Sequence, residues 1–256
     1  MTINKLNIVD GIIQDKFVDD IPIKVQIVKP RGKMNVRTLI KMKECIGITN
    51  HNTANSAATA GDEVHANWMQ NVENADTQYV SAHLFVDQDS ITQVVPLNEV
   101  TYNAGDGRGM GNFKTISVEI CENANVLKAE ENAKKLNAAL ILTYPNLKIF
   151  KHQDWSGKFC PRVILGRNGW NNFIEDINTY ATGASVKPIA TETKDTETVT
   201  IGSGVYGYRT AVDALNDVNR VREIPEGLYP IMIKHASGAW NIGKGYMYWI
   251  NPKKVK

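Results

Sequence analysis

Four short runs rich in β-branched residues, CIGITN (45–50), VSAHLFVD (80–87), ITQVVP (91–96) and TISVEIC (115–121), constrain most tightly what this chain can fold into. Each is bounded by turn-forming residues, the pattern of strands in a sheet. Helical patterns lie between and after them. SAATAGDEVHANWMQNVE (56–73) opens on Ser56, a residue suited to a helix N-terminus. KAEENAKKLNAALILTY (128–144) sets Ala133, Leu136, Leu140 and Tyr144 at helical spacing, with Pro145 to end it. GWNNFIEDINTY (169–180) predicts a third helix, and DQDS (87–90), between two of the runs, predicts a hairpin loop. Strands mixed with helices and at least one hairpin imply an α/β fold, a central mixed β-sheet flanked by helices.

The pattern stops at residues 181–200, ATGASVKPIATETKDTETVT, where large apolar side chains almost vanish. Such a segment buries too little surface to offset its ordering entropy and reads as a linker. It separates a domain over 1–180 from a tail over 201–256. In the tail, YRTAVDALNDVNR (208–220) predicts a short helix, and GLYPIMIKHASGAWNIGKGYMYWINP (227–252) alternates apolar and polar residues between glycine-containing turns, as a small β-rich barrel does. The tail carries eight Lys/Arg against four Asp/Glu, together with Tyr206, Tyr208, Tyr229, Trp240, Tyr246, Tyr248 and Trp249. Aromatic side chains in a basic domain suit a surface that stacks on sugar rings or lies on an anionic polymer, and they equally suit the core of the barrel.

Composition narrows the function. A net charge of +2 gives no argument for a nucleic-acid partner. No apolar run approaches the roughly 18 residues of a membrane span. The first residues, MTINKLNIVDGIIQDKF, lack the basic-then-apolar order of a secretory signal, which leads to the expectation of a protein folded in the cytoplasm and released by some other route. Three widely spaced cysteines argue against a disulfide framework. Cys45 and Cys121 lie in apolar runs and read as reduced core residues.

Cys160 is different. KHQDWSGKFCPR (151–162) gathers His152, Asp154, Lys158 and Cys160 with Gly157 and Pro161 to keep the chain irregular. The segment could be a polar loop with an incidental thiol, a thiol nucleophile with its base, or a metal site. A loop alone leaves the density of reactive groups unexplained, and a Lys and a Pro around a thiol are not the helix N-terminus that often activates one. Zinc fits better, because it takes imidazole nitrogen and thiolate sulfur and, in catalytic sites, keeps a fourth position open. His51, at the end of the CIGITN strand, is the candidate third ligand. His65 lies in a helical pattern and His235 in the tail, and both are expected at the surface. His83, in a strand, competes as a ligand, a substrate contact or a wall of the site.

Five segments in order, ITNHNTAN (48–55), VSAHLFVDQDSITQVVP (80–96), NAGDGRGMGN (103–112), ISVEICEN (116–123) and HQDWSGKFCP (152–161), resemble the successive motifs of zinc-dependent N-acetylmuramoyl-L-alanine amidases of the type-2 class. These occur in phage endolysins and bacterial autolysins and share the fold of peptidoglycan recognition proteins. The resemblance covers about residues 25–180. It implies Zn2+ held by His51, His152 and Cys160, Glu119 as the catalytic carboxylate, Lys158 as the cation near the reacting carbonyl, and peptidoglycan as the substrate. It also implies storage in the cytoplasm until a membrane pore gives access to the wall. The tail resembles SH3-like modules that bind a cell-wall polymer. Many relatives carry an aromatic–His pair where this chain has Tyr102 and Asn103; Asn103 is expected to contact substrate, and His83 to contact substrate or to support the site from behind. Two other readings stand beside this one, a binding protein that keeps the fold without catalysis and a thiol hydrolase built on Cys160.

Overall fold

The computed structural model describes residues 3–31, 35–75, 79–183, 197–208, 211–234, 238–244 and 246–255. The chain divides into two compact units, Met1–Val186 and Lys187–Lys256. Most of the segment read as a linker, and His235, lie outside the described residues.

The first unit opens with a hairpin of β1 (Ile8–Val9) and β2 (Ile12–Ile13). Its centre is a seven-stranded sheet of β3 (Phe17–Val18), β4 (Ile21–Val25), β5 (Gly47–Asn52), β6 (Leu84–Val86), β7 (Ile91–Gln93), β8 (Thr115–Ile120) and β9 (Lys148–Lys151). Their spatial order is β3-β4-β7-β6-β8-β5-β9. The β3–β4 and β6–β7 pairs are antiparallel and the rest parallel, so the sheet is mixed. The helices are α1 (Asp62–Ala75), α2 (Met110–Lys114), α3 (Val126–Thr143), α4 (Gln153–Ser156), α5 (Arg162–Gly166) and α6 (Trp170–Thr182).

Strand alternation sorts the side chains between two cores. Ile48, Leu84, Val86, Ile116, Val118 and Ile120 point one way and meet Ala133, Leu136 and Leu140 of α3, with Phe173 and Ile177 of α6 behind. Leu136 and Leu140 are wholly buried, each stabilising the fold by roughly 2–3 kcal/mol. On the opposite face Phe85 packs with Ala66, Met69 and Val72 of α1 and with Val94 and Val95. That face, over β8, β5 and β9, carries the polar residues of interest.

Helix α1 begins six residues later than Ser56 suggests. Asp62 supplies its first turn, accepting from the Glu63 amide at 2.8 Å and from the hydroxyls of Ser90 and Thr92 at 2.9 and 2.7 Å. Helix α3 starts near its expected residue because Asn125 caps it, accepting from the Lys128 amide at 3.1 Å.

The second unit contains β10 (Thr198–Ile201), β11 (Tyr206–Gly207), α7 (Ala211–Asn216), β12 (Arg222–Glu223), β13 (Gly227–Lys234), β14 (Trp240–Lys244) and β15 (Tyr246–Ile250). β10-β13-β14-β15 form an antiparallel sheet, and β11 pairs with β12. Val199, Ile201, Val205, Ile224, Ile242 and Ile250 make its core. Tyr208 and Trp249 are buried beside Ala214 and Ala239, so these two aromatics serve packing, whereas Tyr206, Tyr229, Trp240 and Tyr248 are partly buried around the two cores.

Candidate metal centre

His51 is the fifth residue of β5 and lies in register with Glu119 of β8, while Phe85 of β6 is Glu119's partner on the other side. The three side chains form a row across the face opposite α3, and His51 is only 2% exposed. β9 runs along the free side of β5, with Lys151 in register with Asn50. The ladder continues one residue further, as the His152 amide donates to the Asn50 carbonyl at 3.3 Å. His152 therefore arrives beside His51 at the end of an edge strand and then opens α4. The expected irregular loop is a strand, one helical turn and a return.

The return is made at Gly157, which ends α4 with φ 76°, a left-handed conformation that glycine adopts without strain. The Gln153 amide donates to the Cys160 carbonyl at 3.1 Å and the Cys160 amide to the Lys158 carbonyl at 2.7 Å, folding the segment back on itself. Cys160 thus reaches the end of β5, where the Asn52 amide donates to its sulfur at 3.4 Å. His51 Nδ1 and His152 Nδ1 lie 3.0 Å apart, and one ligand atom from each of His51, His152 and Cys160 lies within 4.8 Å of the others. Among the described residues no other such group of three is present.

Burial dominates the electrostatics. It holds His51 well below the usual imidazole range, helped by repulsion from His152 and Lys158. It brings His152 down to about 4, again with Lys158 opposing a second positive charge. It pushes the Cys160 thiol up to about 11, the reverse of what a free thiol nucleophile needs. Glu119, with 17% of its side chain exposed, has Oε1 3.9 Å from His51 Nδ1. Burial raises it to about 7, Glu122 adding to the shift and Lys158 opposing it. Lys158 is exposed on the rim.

Two neutral imidazole nitrogens 3.0 Å apart can share one proton at most, and a thiol beside them is held protonated by burial. A cation relieves both conditions, since it accepts both lone pairs and stabilises a thiolate. The donor set is that of a zinc site with three protein ligands.

Two candidate substrate contacts are placed otherwise. His83 is wholly buried, donates from Nε2 to the Glu99 carbonyl at 2.8 Å and accepts at Nδ1 from the Ser117 amide at 2.9 Å. Both nitrogens are engaged by backbone, so it braces the sheet under the site. Asn103 turns its amide inward, donating to the Ser81 carbonyl at 2.7 Å and to Thr101 Oγ1 at 3.1 Å. His65, expected at the surface, is buried against Phe85 and bonded to the Gly61 carbonyl. Cys121 is buried as expected, and Cys45 is partly buried.

Several residues that shape the site carry no signal of their own in the sequence. Asn52 bonds the sulfur through its backbone and accepts from the Val163 amide through its side chain at 3.0 Å. Trp155 of α4 donates from its indole to Thr49 Oγ1 at 2.9 Å. Asn112 accepts from the Asn103 and Ala104 amides, both at 2.8 Å, while Asp106 accepts from the amides of Gly111 and Asn112. The density of Gly, Asp and Asn in NAGDGRGMGN was the available hint of a loop closed by its own side chains.

Comparison with known proteins gives a consistent picture. Residues 42–163 match a family model described as N-acetylmuramoyl-L-alanine amidase. The chain is 40% identical over 140 residues to the N-acetylmuramoyl-L-alanine amidase CwlH of Bacillus subtilis (strain 168), covering 53% of this chain and 54% of that protein. It is 41% identical over 131 residues to XlyA of the same organism, covering 49% and 42%. The chain thus spans about half the length of these curated relatives. Among solved structures, the catalytic domain of XlyA superposes with a TM-score of 0.55 at 36% identity, covering 61% of this chain and 99% of that one. The PlyG catalytic domain superposes with a TM-score of 0.56 at 32% identity, covering 66% and 99%.

Proposed function

The chain belongs to the N-acetylmuramoyl-L-alanine amidase family, and from that premise we propose that its first unit hydrolyses the amide joining the lactyl group of N-acetylmuramic acid to the L-alanine of the peptidoglycan stem, with zinc held by His51, His152 and Cys160. The observation that carries this reading is the convergence of ligand atoms of those three side chains within 4.8 Å beside a partly buried carboxylate. Zinc bound there supplies Lewis acidity, polarising a carbonyl and acidifying water.

The remaining tasks fall to the chain. Glu119, raised to about 7, takes a proton from the attacking water and returns it to the leaving amine nitrogen, and a group titrating near neutrality does both well. Its place in mid-strand, between the buried Val118 and Ile120, holds it still while it does so. Lys158 sits two residues before Cys160, on a turn closed by its own carbonyl, and its charge favours the oxyanion that develops on the carbonyl oxygen.

The second unit, in the same proposal, is an SH3-like module that holds the enzyme on a cell-wall polymer. Its antiparallel sheet, the partly buried aromatics around its core and its excess of basic residues support this. A second contact with the wall raises the effective concentration of the first unit at its substrate.

Digestion of purified walls tests the reaction. New N-terminal alanine without new reducing sugar ends is expected, and reducing ends without free alanine would sink the proposal. His51→Ala should lose both metal and activity, whereas Glu119→Ala should keep metal and lose activity.

A further inference from the structure

Each neutral imidazole has one N–H, and a metal-binding nitrogen must be the other one, so something has to hold the proton away from the metal side. His51 and His152 face each other through Nδ1, which leaves Nε2 of each to carry the proton. The Nε2 edge of His152 adjoins the backbone at 104–105: a Cβ added to Gly105 would lie 3.6 Å from it, and the Ala104 carbonyl is the backbone acceptor on this side of the ring. His51 Nε2 is buried and has no hydrogen-bond partner of good geometry.

Asn103 Oδ1 is buried and unpartnered in the same way, and its side chain adjoins the His51 ring. The orientation of this carboxamide is fixed. Its nitrogen donates to the Ser81 carbonyl at 2.7 Å and to Thr101 Oγ1 at 3.1 Å. Exchanging nitrogen and oxygen would set two acceptors against each other at Ser81. The oxygen is therefore the atom left for His51. The Asn112 side chain, bonded to both the Asn103 and Ala104 amides, holds the two acceptors in place together.

We propose that Asn103 is a positioning residue of the metal centre: its Oδ1 accepts the Nε2 proton of His51, as the neighbouring Ala104 carbonyl does for His152, so that consecutive residues of one loop set the tautomer of both imidazole ligands. This rests on the metal reading above. It also gives the Asn at this position, where many relatives of the resembling family carry His, a task that needs no charge and no contact with substrate.

The test is zinc affinity of the full chain, measured with zinc alone by competition against a chromogenic chelator. Asn103→Leu removes the acceptor and is expected to weaken zinc binding about 10- to 100-fold. Asn103→Asp keeps an oxygen toward His51 but sets its other oxygen against the Ser81 carbonyl, and its zinc affinity is expected to fall between those of the wild type and Asn103→Leu. A purely structural role for Asn103 makes Asp as damaging as Leu, and that result overturns the proposal, as does an Asn103→Leu protein with wild-type affinity. If the wild-type chain takes up no zinc, the metal reading itself fails, a different result from an unaffected variant. Should Asn103→Leu not fold, nitrogen-15 NMR of the zinc-loaded wild type decides. A His51 Nε2 proton protected from exchange supports the assignment, and one exchanging as fast as that of an exposed imidazole refutes it.

Discussion

Gly111→Ala tests whether the site is held by packing that never touches the reacting groups. Gly111 lies in α2, and a Cβ there would sit 2.6 Å from Ala104 Cβ, 2.6 Å from Trp155 Cγ and 2.8 Å from Trp155 Cδ1. Carbon atoms rest about 3.5–4.0 Å apart, so both neighbours must retreat by about 1 Å. Neither is the loose end of a flexible chain. The Trp155 indole is tied to Thr49 Oγ1 and packs on Phe150 with ring centroids 4.7 Å apart. Ala104 is fixed by Asn112 on its amide and adjoins His152 through its carbonyl.

Overpacking of this kind costs about 1–3 kcal/mol, against which the replacement of a helical glycine returns at most about 1 kcal/mol. A net loss of about 1–2 kcal/mol is expected in urea unfolding. The retreat of Trp155 pulls on α4, which follows His152, and the retreat of Ala104 moves the acceptor of the same ring. A misplacement of about 1 Å at a reacting centre can lower the rate about 100-fold, so clearing of wall suspensions should fall far more than stability does. Trp155→Leu vacates part of the contested space, and the double variant should be less destabilised than the two single losses added together, by about 0.5 kcal/mol or more. Wild-type stability and activity in Gly111→Ala, or strict additivity with Trp155→Leu, would refute the reasoning.

His83 is held down to about 4 by burial, its bonds to the Glu99 carbonyl only partly opposing the shift. Fold and unfolded chain both leave it neutral at pH 7. As pH falls below about 6.5 the unfolded chain takes up a proton that the fold refuses until about 4, and stability declines across that window by about 3 kcal/mol. His83→Gln should flatten the dependence in urea titrations near pH 7 and pH 4, and an unchanged slope would remove His83 as its cause. Lys158→Met should keep zinc while slowing wall hydrolysis roughly 10- to 100-fold, checked by metal analysis beside the alanine-release assay. Glu73 accepts from the amides of Arg31, Val36 and Arg37 at 2.7, 2.8 and 3.1 Å. Glu73→Ala strands these donors and should cost about 3 kcal/mol or more in thermal or urea unfolding.

How much of this was legible in the sequence depends on how local each cause is. β5 and β8 were visible because β-branched runs announce themselves, and strand alternation then put Glu119 opposite Val118 and Ile120 without further help. The sequence does not announce β9. KIFK is a short edge strand with lysines at both ends, and it pairs with β5 alone, so its own composition says little. Yet this strand delivers His152 to His51, and without it the 151–162 segment reads as a loop free to fold back on itself. The start of α1 departs from the local pattern for a related reason. Ser56 has the chemistry of a helix cap, but the Asp62 carboxylate accepts from Ser90 and Thr92, in the turn before β7 and on β7, and such contacts distant in the chain set where the helix begins. His83 and Asn103 show the same limit at the site. The motifs located both residues, but the direction of a side chain was set by Ser117, Ser81 and Thr101, whose carbonyls, amides and hydroxyls are no more conspicuous in the sequence than any others. Residue type and order therefore disclosed which groups could do the chemistry, whereas the tautomers and orientations that make them a centre are a property of the backbone around them. If so, exchange of the named ligands should abolish function outright, while exchange of their unnamed supports should degrade it by degrees, and a series from His51→Ala through Asn103→Leu to Gly111→Ala should show that gradation in zinc affinity.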